Sequence, residues 1–278
     1  MRKINLALPV VKWVGGKRQL LERLMPLFPD TYTSYCEPFI GGGAVLFALQ
    51  PENVIINDIN SELIGVYQAI KDNVDALIKR LEQFENTKEC FYDVRGWDRN
   101  AAVYNELTDI DKAARVIFLN KTCYNGLYRV NSAGEFNTPF GRYKKPNIVN
   151  ESTLRAVNKY FNTANVTILN TSYSEAVQGL PENSFVYLDP PYDPISVTAS
   201  FTGYNAGGFS REDQIALRDC CRELDAAGIK FMLSNSATEF IRDIYSDFNI
   251  TIVPAKRAIN SVGTKRGCVD EVVVRNYE

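Results

Sequence analysis

The tetrapeptide Asp189-Pro190-Pro191-Tyr192 is the stretch whose residue types most clearly suggest chemistry. It follows residues 185–188, a short apolar run rich in β-forming residues, which predicts a buried strand. Because both prolines lack an N–H and hold φ at about −65°, the strand should end there with the Asp189 carboxylate at its carboxyl end, where open α/β sheets bind ligands. A carboxylate, a proline carbonyl and the flat Tyr192 ring together suit a planar amino group such as the exocyclic nitrogen of a nucleobase. The alternative is an ordinary strand-end turn, since Asp-Pro commonly initiates turns.

Two glycine-rich segments near the amino terminus predict binding of an anion or a nucleotide. In residues 12–17 a pair of glycines precedes a helical pattern, and the free N–H groups at a helix start attract carboxylate or phosphate, to which Lys17 adds a full charge. In residues 37–47 a short strand leads through three glycines (41–43) into a helix, so a ligand could approach the main chain closely. The spacing does not match G-x-G-x-x-G, which argues against a dinucleotide. For residues 12–17 the alternative is that the two glycines form an ordinary turn and that Trp13 is a core residue.

An acidic residue, Asp58, follows a second predicted strand over 53–57. It lies 17 positions after Gly41, close to the spacing of about 20 residues at which an acidic side chain binds ribose hydroxyls in nucleotide-binding α/β folds. This spacing favours a nucleoside-binding role for Asp58. The alternative is that Asp58 caps the helix that starts near Ser61.

Helical periodicity dominates residues 61–123, where no strand pattern appears. Asp58 and Asp189 are separated by 131 positions, far more than alternating βα units need, so a helical insert is the simplest account. We therefore expect an α/β fold with helices on both faces of the sheet. The expected domains are a discontinuous catalytic domain over residues 1–60 and 148–278, and an inserted domain over residues 61–147. Further along, the length of the loop over 193–208 suits a lid or a substrate clamp.

Residues 121–145, which we call the recognition segment, are basic and rich in aromatic residues. They carry five basic residues against one acid, a local charge of +4 in a chain of net charge −2. Alternation on both sides of Ser132-Ala133-Gly134 predicts a β-hairpin at about 124–145. Such a hairpin could enter a DNA groove, with arginine at a guanine edge and lysine at phosphates. The alternative is a solvated hairpin with ordinary cross-strand aromatic pairs.

Composition excludes several classes of protein and of chemistry. With 278 residues, 45% of them hydrophobic, the chain can bury a sizeable core. It has no histidine, which removes histidine-based triads and metal sites, and its six cysteines form no C-x-x-C pair, which argues against zinc and disulfides and for a reducing cytoplasm. The amino terminus lacks a signal-peptide pattern and no run approaches about 18 apolar residues, so neither secretion nor a membrane span is expected. With a net charge of −2, any nucleic-acid partner must be recognised through local charge.

Six motifs follow one another in a characteristic order. They are Lys-Trp-x-Gly-Gly-Lys at 12–17, Glu-Pro-Phe-x-Gly-x-Gly at 37–43, Ile-Asn-Asp-Ile-Asn at 56–60, Tyr-Asn-Gly-Leu-x-Arg at 124–129, Gly-x-Phe-Asn-x-Pro-Phe-Gly-Arg-Tyr-Lys at 134–144 and Asp-Pro-Pro-Tyr at 189–192. With them the chain resembles the Dam-type DNA-adenine N6-methyltransferases from Lys12 to about Tyr277. One such motif is weak, but six in order are specific. The resemblance implies a Rossmann-like methyltransferase sheet, S-adenosylmethionine as methyl donor without a metal, and double-stranded DNA with GATC-type sites as substrate.

Carried over position by position, the resemblance implies three sets of site residues. The catalytic set is Asp189, Pro190 and Tyr192. The cofactor-binding set is Trp13, Lys17, Phe39, Gly41, Gly43, Asp58, Ser172, Tyr173 and Asp189. The DNA-binding set is Lys12, Tyr124, Asn125, Leu127, Arg129, Pro139, Arg142, Tyr143 and Lys144. Many relatives have an aspartate where Thr171-Ser172 stands here, so the contact with the cofactor's adenine departs from the family pattern.

These residues imply that adenine N6 attacks the donor methyl group. The N6 lone pair is delocalised into the ring, so the Asp189 carboxylate and the Pro190 carbonyl would accept its two hydrogens and favour a pyramidal nitrogen. A paired base cannot present N6 in this way, and the adenine should therefore flip out and stack on Tyr192. The sequence has no Pro-Cys dipeptide, which excludes the cytosine-C5 methylases, since these need a cysteine nucleophile. A methylase of RNA or of a protein amide, and a non-catalytic DNA-binding relative, are the alternatives.

Overall fold

In a computed structural model, which describes residues 4–195, 208–256 and 268–278, the strands form one mixed sheet. The strands are β1 (Tyr35–Glu37), β2 (Asn53–Asn57), β3 (Asn165–Leu169), β4 (Phe185–Leu188), β5 (Lys230–Ser236), β6 (Asn249–Lys256) and β7 (Cys268–Arg275). Their order across the sheet is β3-β2-β1-β4-β5-β7-β6. Strands β1 to β5 run parallel, and β7 is antiparallel to both of its neighbours. Residues 196–207 of the expected lid lie outside the described ranges.

The strand order reverses between β1 and β4. From β1 the chain adds β2 and then β3 on one side of the sheet, whereas β4 and β5 are added on the other. The register pairs Cys36 with both Ile55 and Val186, so the carboxyl ends of β1, β2 and β4 lie side by side. The crevice at such a reversal is the usual ligand site of an open α/β sheet.

Strand β4 is buried on both faces, which explains its unbroken apolar sequence. Phe185 and Tyr187 belong to the core on one face of the sheet. Val186 and Leu188 belong to the core on the other face, as the alternation of side chains along a strand requires. The buried strand predicted at 185–188 is confirmed.

Helices cover both faces of the sheet. They are α1 (Leu21–Leu24), α2 (Ala44–Leu49), α3 (Ser61–Leu81), α4 (Lys88–Gly96), α5 (Ala101–Glu106), α6 (Asp109–Thr122), α7 (Glu151–Thr163), α8 (Tyr173–Ala176), α9 (Arg211–Ala226) and α10 (Glu239–Ile244). The predicted α/β fold with helices on both faces is thereby confirmed. No helix within the described ranges is both long enough and apolar enough to cross a bilayer.

Helix α3 connects the sheet to the helical region that follows it. It packs against α7, beside the sheet, and against α6. One continuous apolar core therefore runs from β1 and β4 through α3 into α4 and α6. The helical character predicted for residues 61–123 is confirmed, whereas the division into two domains at residues 60 and 147 stays a prediction.

The helical pattern after Lys17 does not form one continuous helix. Instead, short 3-10 turns at Lys17–Gln19 and Met25–Leu27 flank the single turn of α1. Pro26 lies at the start of the second of these turns, and proline cannot donate a helical hydrogen bond.

The recognition segment folds back on itself, but not as a regular hairpin. Over 121–145, all of which the structure describes, its antiparallel pairs are two isolated bridges, Cys123 with Phe140 and Val130 with Phe136. The Asn131 carboxamide oxygen accepts from two main-chain N–H groups of the turn, each at 3.0 Å, and the Thr138 hydroxyl donates to Leu127 O at 2.6 Å. The β-hairpin predicted at 124–145 is therefore wrong in its strands: cross-strand main-chain bonds such as Asn137 N to Arg129 O at 2.9 Å are present, but side-chain hydrogen bonds interrupt the ladder between them.

Candidate active site at the carboxyl edge of the sheet

Three acidic residues lie at the carboxyl edge of the sheet, where the strand order reverses; we call this region the sheet edge. Glu37 ends β1, Asp58 follows β2 and Asp189 follows β4. Parallel strands bring their carboxyl ends to one edge, so residues far apart in the sequence meet there. The arrangement brings three carboxyl groups to one edge of the sheet.

Asp189 is paired with a buried lysine. Lys17 Nζ lies 2.7 Å from Asp189 Oδ1, and the Lys17 side chain is only 4% exposed. The same ammonium donates to Gly15 O at 2.7 Å. Burial raises the pKa of Asp189, and the Lys17 ammonium and the Tyr192 hydroxyl oppose that rise. The carboxylate is thus kept available as an acceptor next to a positive charge.

Tyr192 is held at its ring face and at its hydroxyl. Lys17 Nζ lies 4.6 Å from the ring centroid, a cation–π contact. The Tyr192 hydroxyl donates to Glu271 Oε2, on β7, at 2.8 Å. Sequence reasoning missed Glu271, whose only signal was its place in an acidic pair before the apolar run 272–274.

The Pro-Pro turn is held from behind by two fully buried amides. Gln214 Nε2, from α9, donates to Pro191 O at 2.8 Å, and Asn235 Nδ2, from β5, donates to Gln214 Oε1 at 3.0 Å. The Asn235 oxygen accepts from Asp193 N at 3.0 Å. Because these bonds fix the backbone on both sides of Tyr192, the carbonyl of Pro190 is carried on a rigid turn.

Asp58 joins β2 to the glycine turn that follows β1. Its Oδ2 accepts from Gly41 N at 3.0 Å, and its Oδ1 accepts from Asn60 N at 2.9 Å. Asn60 is the N-cap of α3, since its side chain accepts from Leu63 N at 3.0 Å. The alternative role of Asp58 as that cap is therefore wrong. Burial raises the pKa of Asp58, and the two N–H groups oppose the rise.

Gly41 and Gly43 adopt left-handed backbone conformations, with φ of +48° and +70°. A Cβ on Gly41 would lie 3.1 Å from Trp13 Cδ1, and one on Gly43 would lie 2.8 Å from Phe47 Cε2. Glycine is therefore required at both positions by conformation and by close packing. At Gly41 the turn brings half-buried main chain against the Trp13 ring with no side chain between them.

Glu37 is a buried carboxyl group that the sequence-based site sets omitted. It is 2% exposed and accepts from the Tyr35 hydroxyl at 2.6 Å. Burial raises its pKa well above the ordinary value, and hydrogen bonds from Tyr35 and from the main chain of Leu46 oppose that rise. Since Leu46 lies in the first turn of α2, whose N-cap is Gly43, Glu37 supplies the side-chain acceptor that glycine lacks.

Phe39 and Tyr173 form an aromatic patch beside the glycine turn. Their ring centroids are 5.3 Å apart with an interplanar angle of 28°, and Phe209 packs edge-on against Phe39 at 6.2 Å. Both rings of the pair are half-buried, so they could receive one face of a purine. The hydroxyl of Ser172 instead caps α8, accepting from Glu175 N at 3.2 Å.

Residues 12 and 13 connect the sheet edge to the recognition segment. The Trp13 ring stacks on Tyr128, with centroids 4.8 Å apart and an interplanar angle of 26°. The main chain of Lys12 exchanges two hydrogen bonds with the Asn120 carboxamide, each of 2.8 Å. Lys12 Nζ donates to Asn125 O at 3.2 Å. The structure thus brings together two predicted DNA-binding residues that are far apart in the sequence.

The other members of the predicted DNA-binding set lie on the outer side of the recognition segment. Leu127 is half-buried, and the exposed members are Tyr124, Asn125, Arg129, Pro139, Arg142, Tyr143 and Lys144. Arg129 Nε donates to Asn137 Oδ1 at 2.8 Å. The aromatic rings of Tyr128 and Phe136 are buried in the core, so they support the segment rather than face solvent.

A buried arginine holds the recognition segment from behind. The Arg115 guanidinium, from α6, is 2% exposed and lies 2.5 Å from Asp98 Oδ2 and 3.3 Å from Glu62 Oε2. Asp98 Oδ2 also accepts from Phe136 N at 2.7 Å, and Arg99 donates to Phe136 O at 2.9 Å. Side chains therefore satisfy both main-chain groups of Phe136. Sequence reasoning missed this cluster, because nothing in the sequence separates these charges from ordinary solvated ones.

Comparison with known proteins shows which sequences this chain is similar to. The family model described as D12 class N6 adenine-specific DNA methyltransferase matches residues 13–259. The chain is 44% identical over 277 residues to the type II methyltransferase M1.LlaDCHI of Lactococcus lactis subsp. cremoris, covering 99% of this chain and 97% of the relative. It is 43% identical over 290 residues to the type II methyltransferase M.MjaIII of Methanocaldococcus jannaschii, with coverages of 97% and 99%. It is 33% identical over 268 residues to the DNA adenine methylase of Escherichia coli (strain K12), with coverages of 95% and 93%.

Proposed function

The chain belongs to the family of D12 class N6 adenine-specific DNA methyltransferases, and from that premise we propose that it methylates N6 of adenine in duplex DNA by base flipping, with S-adenosylmethionine as donor and GATC as the target site. The observation that carries this proposal is the position of Asp189. It follows β4 at the reversal of strand order, paired with Lys17 and next to the Tyr192 ring.

Asp189 and Pro190 would prepare the target nitrogen. The carboxylate of Asp189 and the carbonyl of Pro190 would accept the two N6 hydrogens, which draws the nitrogen lone pair out of the ring system. A carboxylate close to N6 also stabilises the positive charge that develops there. Since the turn is fixed by Gln214 and Asn235, these acceptors need little reorganisation during the reaction.

Tyr192 would hold the target base outside the duplex. A paired adenine cannot place N6 at the sheet edge, and unstacking it costs a few kcal/mol, which stacking on an aromatic ring partly offsets at about 1–3 kcal/mol per base. The Tyr192 ring is anchored through its hydroxyl, so its orientation is fixed before the base arrives.

The residues around the glycine turn fit an adenosyl cofactor. Gly41 and Gly43 leave no side chain in a turn packed against Trp13, Asp58 follows β2 at the same edge, and the Phe39–Tyr173 pair offers aromatic faces. We propose that Asp58 binds the ribose, the aromatic pair binds the adenine, and Lys17 with Asp189 binds the methionyl part. Ser172 is the weakest member of the set, because its hydroxyl caps α8. When bound, S-adenosylmethionine supplies an activated methyl group.

The recognition segment would read the target sequence. Its local charge of +4 suits phosphates, and Arg129 is exposed with its guanidinium on the outer side, as a contact with a guanine edge requires. We propose that residues 61–147 act as the target-recognition domain and that residues 1–60 and 148–278 form the catalytic domain. The assignment of GATC rests on the motifs at 124–129 and 134–144.

The test is methyl transfer from tritiated S-adenosylmethionine to synthetic duplexes and to an RNA of the same sequence. We expect label in a duplex with one GATC site, recovery of N6-methyladenine after digestion, and little label when the target adenine is replaced or when RNA is offered. Asp189→Ala, purified in parallel, controls for a contaminating host methylase. Label confined to RNA would overturn the proposal.

The site itself is tested by expressing the chain in cells without adenine methylation. Sequencing of methylated adenines should show modification at GATC alone. Methylation at a different site would overturn the GATC assignment while leaving adenine methylation in place.

A further inference from the structure

Glu271 reaches the sheet edge from the antiparallel part of the sheet. It lies near the start of β7 and pairs with Ser236, at the end of β5, and with Val253 of β6. Because β7 runs opposite to β5, its early residues lie beside the carboxyl ends of the parallel strands. Its carboxylate accepts the Tyr192 hydroxyl at 2.8 Å.

Glu271 closes a chain of contacts that begins at Asp189. The Asp189 carboxylate pairs with Lys17 Nζ at 2.7 Å, Lys17 lies over the Tyr192 ring at 4.6 Å, and the Tyr192 hydroxyl bonds to Glu271. The Lys17 ammonium thus pairs with Asp189 and lies over the ring whose hydroxyl Glu271 holds. Burial raises the pKa of Glu271, the Lys17 ammonium and the Tyr192 hydroxyl oppose that rise, and the Asp189 charge adds to it.

A carboxylate at position 271 is unfavourable if its role is only structural, because the charge of Asp189 lies near it. A neutral carboxamide would accept the Tyr192 hydroxyl without repulsion from Asp189. A carboxylate makes a stronger, charge-assisted bond, which fixes the ring more firmly than a neutral acceptor would. Perturbed charges held close together in a crevice are typical of functional sites.

We propose that Glu271 is a positioning residue that orients the Tyr192 ring for stacking on the flipped base. The inference rests on the proposed function, because it assigns Glu271 to the reaction through Tyr192. Hydrogen bonds at Pro191 O and Asp193 N hold the backbone on both sides of Tyr192, and the remaining freedom of its side chain lies in rotation about two bonds. A hydrogen bond at the far end of the ring removes that freedom.

The experiment compares Glu271→Ala and Tyr192→Phe, singly and together, with the wild type. Each single variant should lower kcat about 10- to 100-fold, the effect expected when a hydrogen bond to a charged group is lost. The double variant should be no worse than either single variant, because both changes remove one bond. Glu271→Gln keeps an acceptor but loses the charge-assisted bond, so it should restore only part of kcat, while KM for the cofactor should change little.

A second readout reports on the ring itself. In a duplex with 2-aminopurine at the target position, stacking on a fixed Tyr192 ring should quench the emission of the flipped base. Glu271→Ala should therefore give brighter emission in the protein complex than the wild type. Asp270→Asn is the matched control, because it removes an exposed charge one position away and should alter neither kcat nor emission.

The outcomes separate this inference from the proposed function. A wild-type protein that transfers no methyl group to DNA would overturn both. An active wild type with an equally active Glu271→Ala variant would overturn the positioning role alone. Losses that multiply in the double variant, or a loss of kcat matched by Asp270→Asn, would also overturn it.

Discussion

The sheet edge and the recognition segment differ in the burial of their predicted site residues. At the sheet edge the polar side chains are largely buried and bonded to one another, as in the Lys17–Asp189 ion pair. In the recognition segment the predicted DNA-binding side chains are mostly exposed, and buried groups hold the backbone instead, as Asp98 holds Phe136 N.

The difference follows from what each region has to do. A reacting atom must meet acceptors already in place, which favours rigid strand ends and buried networks. Side chains that read a groove must stay exposed until DNA arrives, so rigidity can come only from the backbone behind them. Substitutions should accordingly affect rate at the sheet edge, stability behind the recognition segment, and affinity or specificity on its outer side.

The largest effect should come from Asp189→Ala. Removal of the carboxylate takes away an acceptor and the charge that stabilises N6, and kcat should fall by about 10²–10³ or more. Single-turnover kinetics with a GATC duplex measure the loss. An unchanged thermal melting curve is the control, and a variant that reacts at the parental rate would contradict the role.

The same carboxylate should give an acid limb in the pH profile. Burial raises the pKa of Asp189 above the ordinary 3.8, and only the charged form stabilises the positive charge that develops on N6. The value of kcat/KM should therefore be maximal at neutral pH and should fall as the pH drops through the raised pKa of Asp189. The test is the pH dependence of kcat/KM, over a range in which circular dichroism shows the fold intact.

Next in size is the effect of Arg115→Leu on stability. The substitution leaves Asp98 and Glu62 without their buried partner, and breaking a buried ion pair destabilises a protein by about 3–5 kcal/mol. Urea unfolding measures the free energy of unfolding. Arg155→Leu is the matched control: its guanidinium is 47% exposed in pairs with Asp75 and Glu151, and exposed pairs contribute about 0–1 kcal/mol. Equal losses of unfolding free energy in the two variants would contradict the expected difference between buried and exposed ion pairs.

Arg129→Ala should relax specificity with little effect on stability. If its guanidinium reads one guanine, discrimination at that base pair should fall by about 1–3 kcal/mol. Competition between the cognate duplex and single-base variants measures the change. An equal loss at every base pair would argue that Arg129 contacts only the backbone of DNA.

The smallest effect should come from Lys144→Ala. Loss of one phosphate contact should weaken binding to all duplexes alike and reduce the slope of log K against log salt by about 0.9. Lys159→Ala, an exposed lysine on α7, should leave the slope unchanged. An unaltered slope for Lys144→Ala would remove that residue from the DNA-binding face.

Local patterns were sufficient to predict strand β4, its end before Asp189 and the strand β2 that Asp58 follows. Apolar runs and proline or glycine positions have local causes, so they can be read along the chain. The hairpin prediction failed for a related reason: alternation indicates a strand, but it does not reveal that the side chains of Asn131 and Thr138 will take up ladder groups.

The amino-acid sequence by itself determined the α/β class, the family motifs and the acidic residues Asp58 and Asp189 that follow β2 and β4, because each depends on neighbours a few positions apart. Only the tertiary structure decided that Lys17 would meet Asp189, that Glu271 would hold Tyr192, and that Asp98 would join Arg115 to Phe136. These contacts join residues 17 to 172 positions apart, and they depend on strand order and on which charged groups are buried together. No spacing rule along a chain encodes such distances, since they arise from the way the sheet and its helices pack.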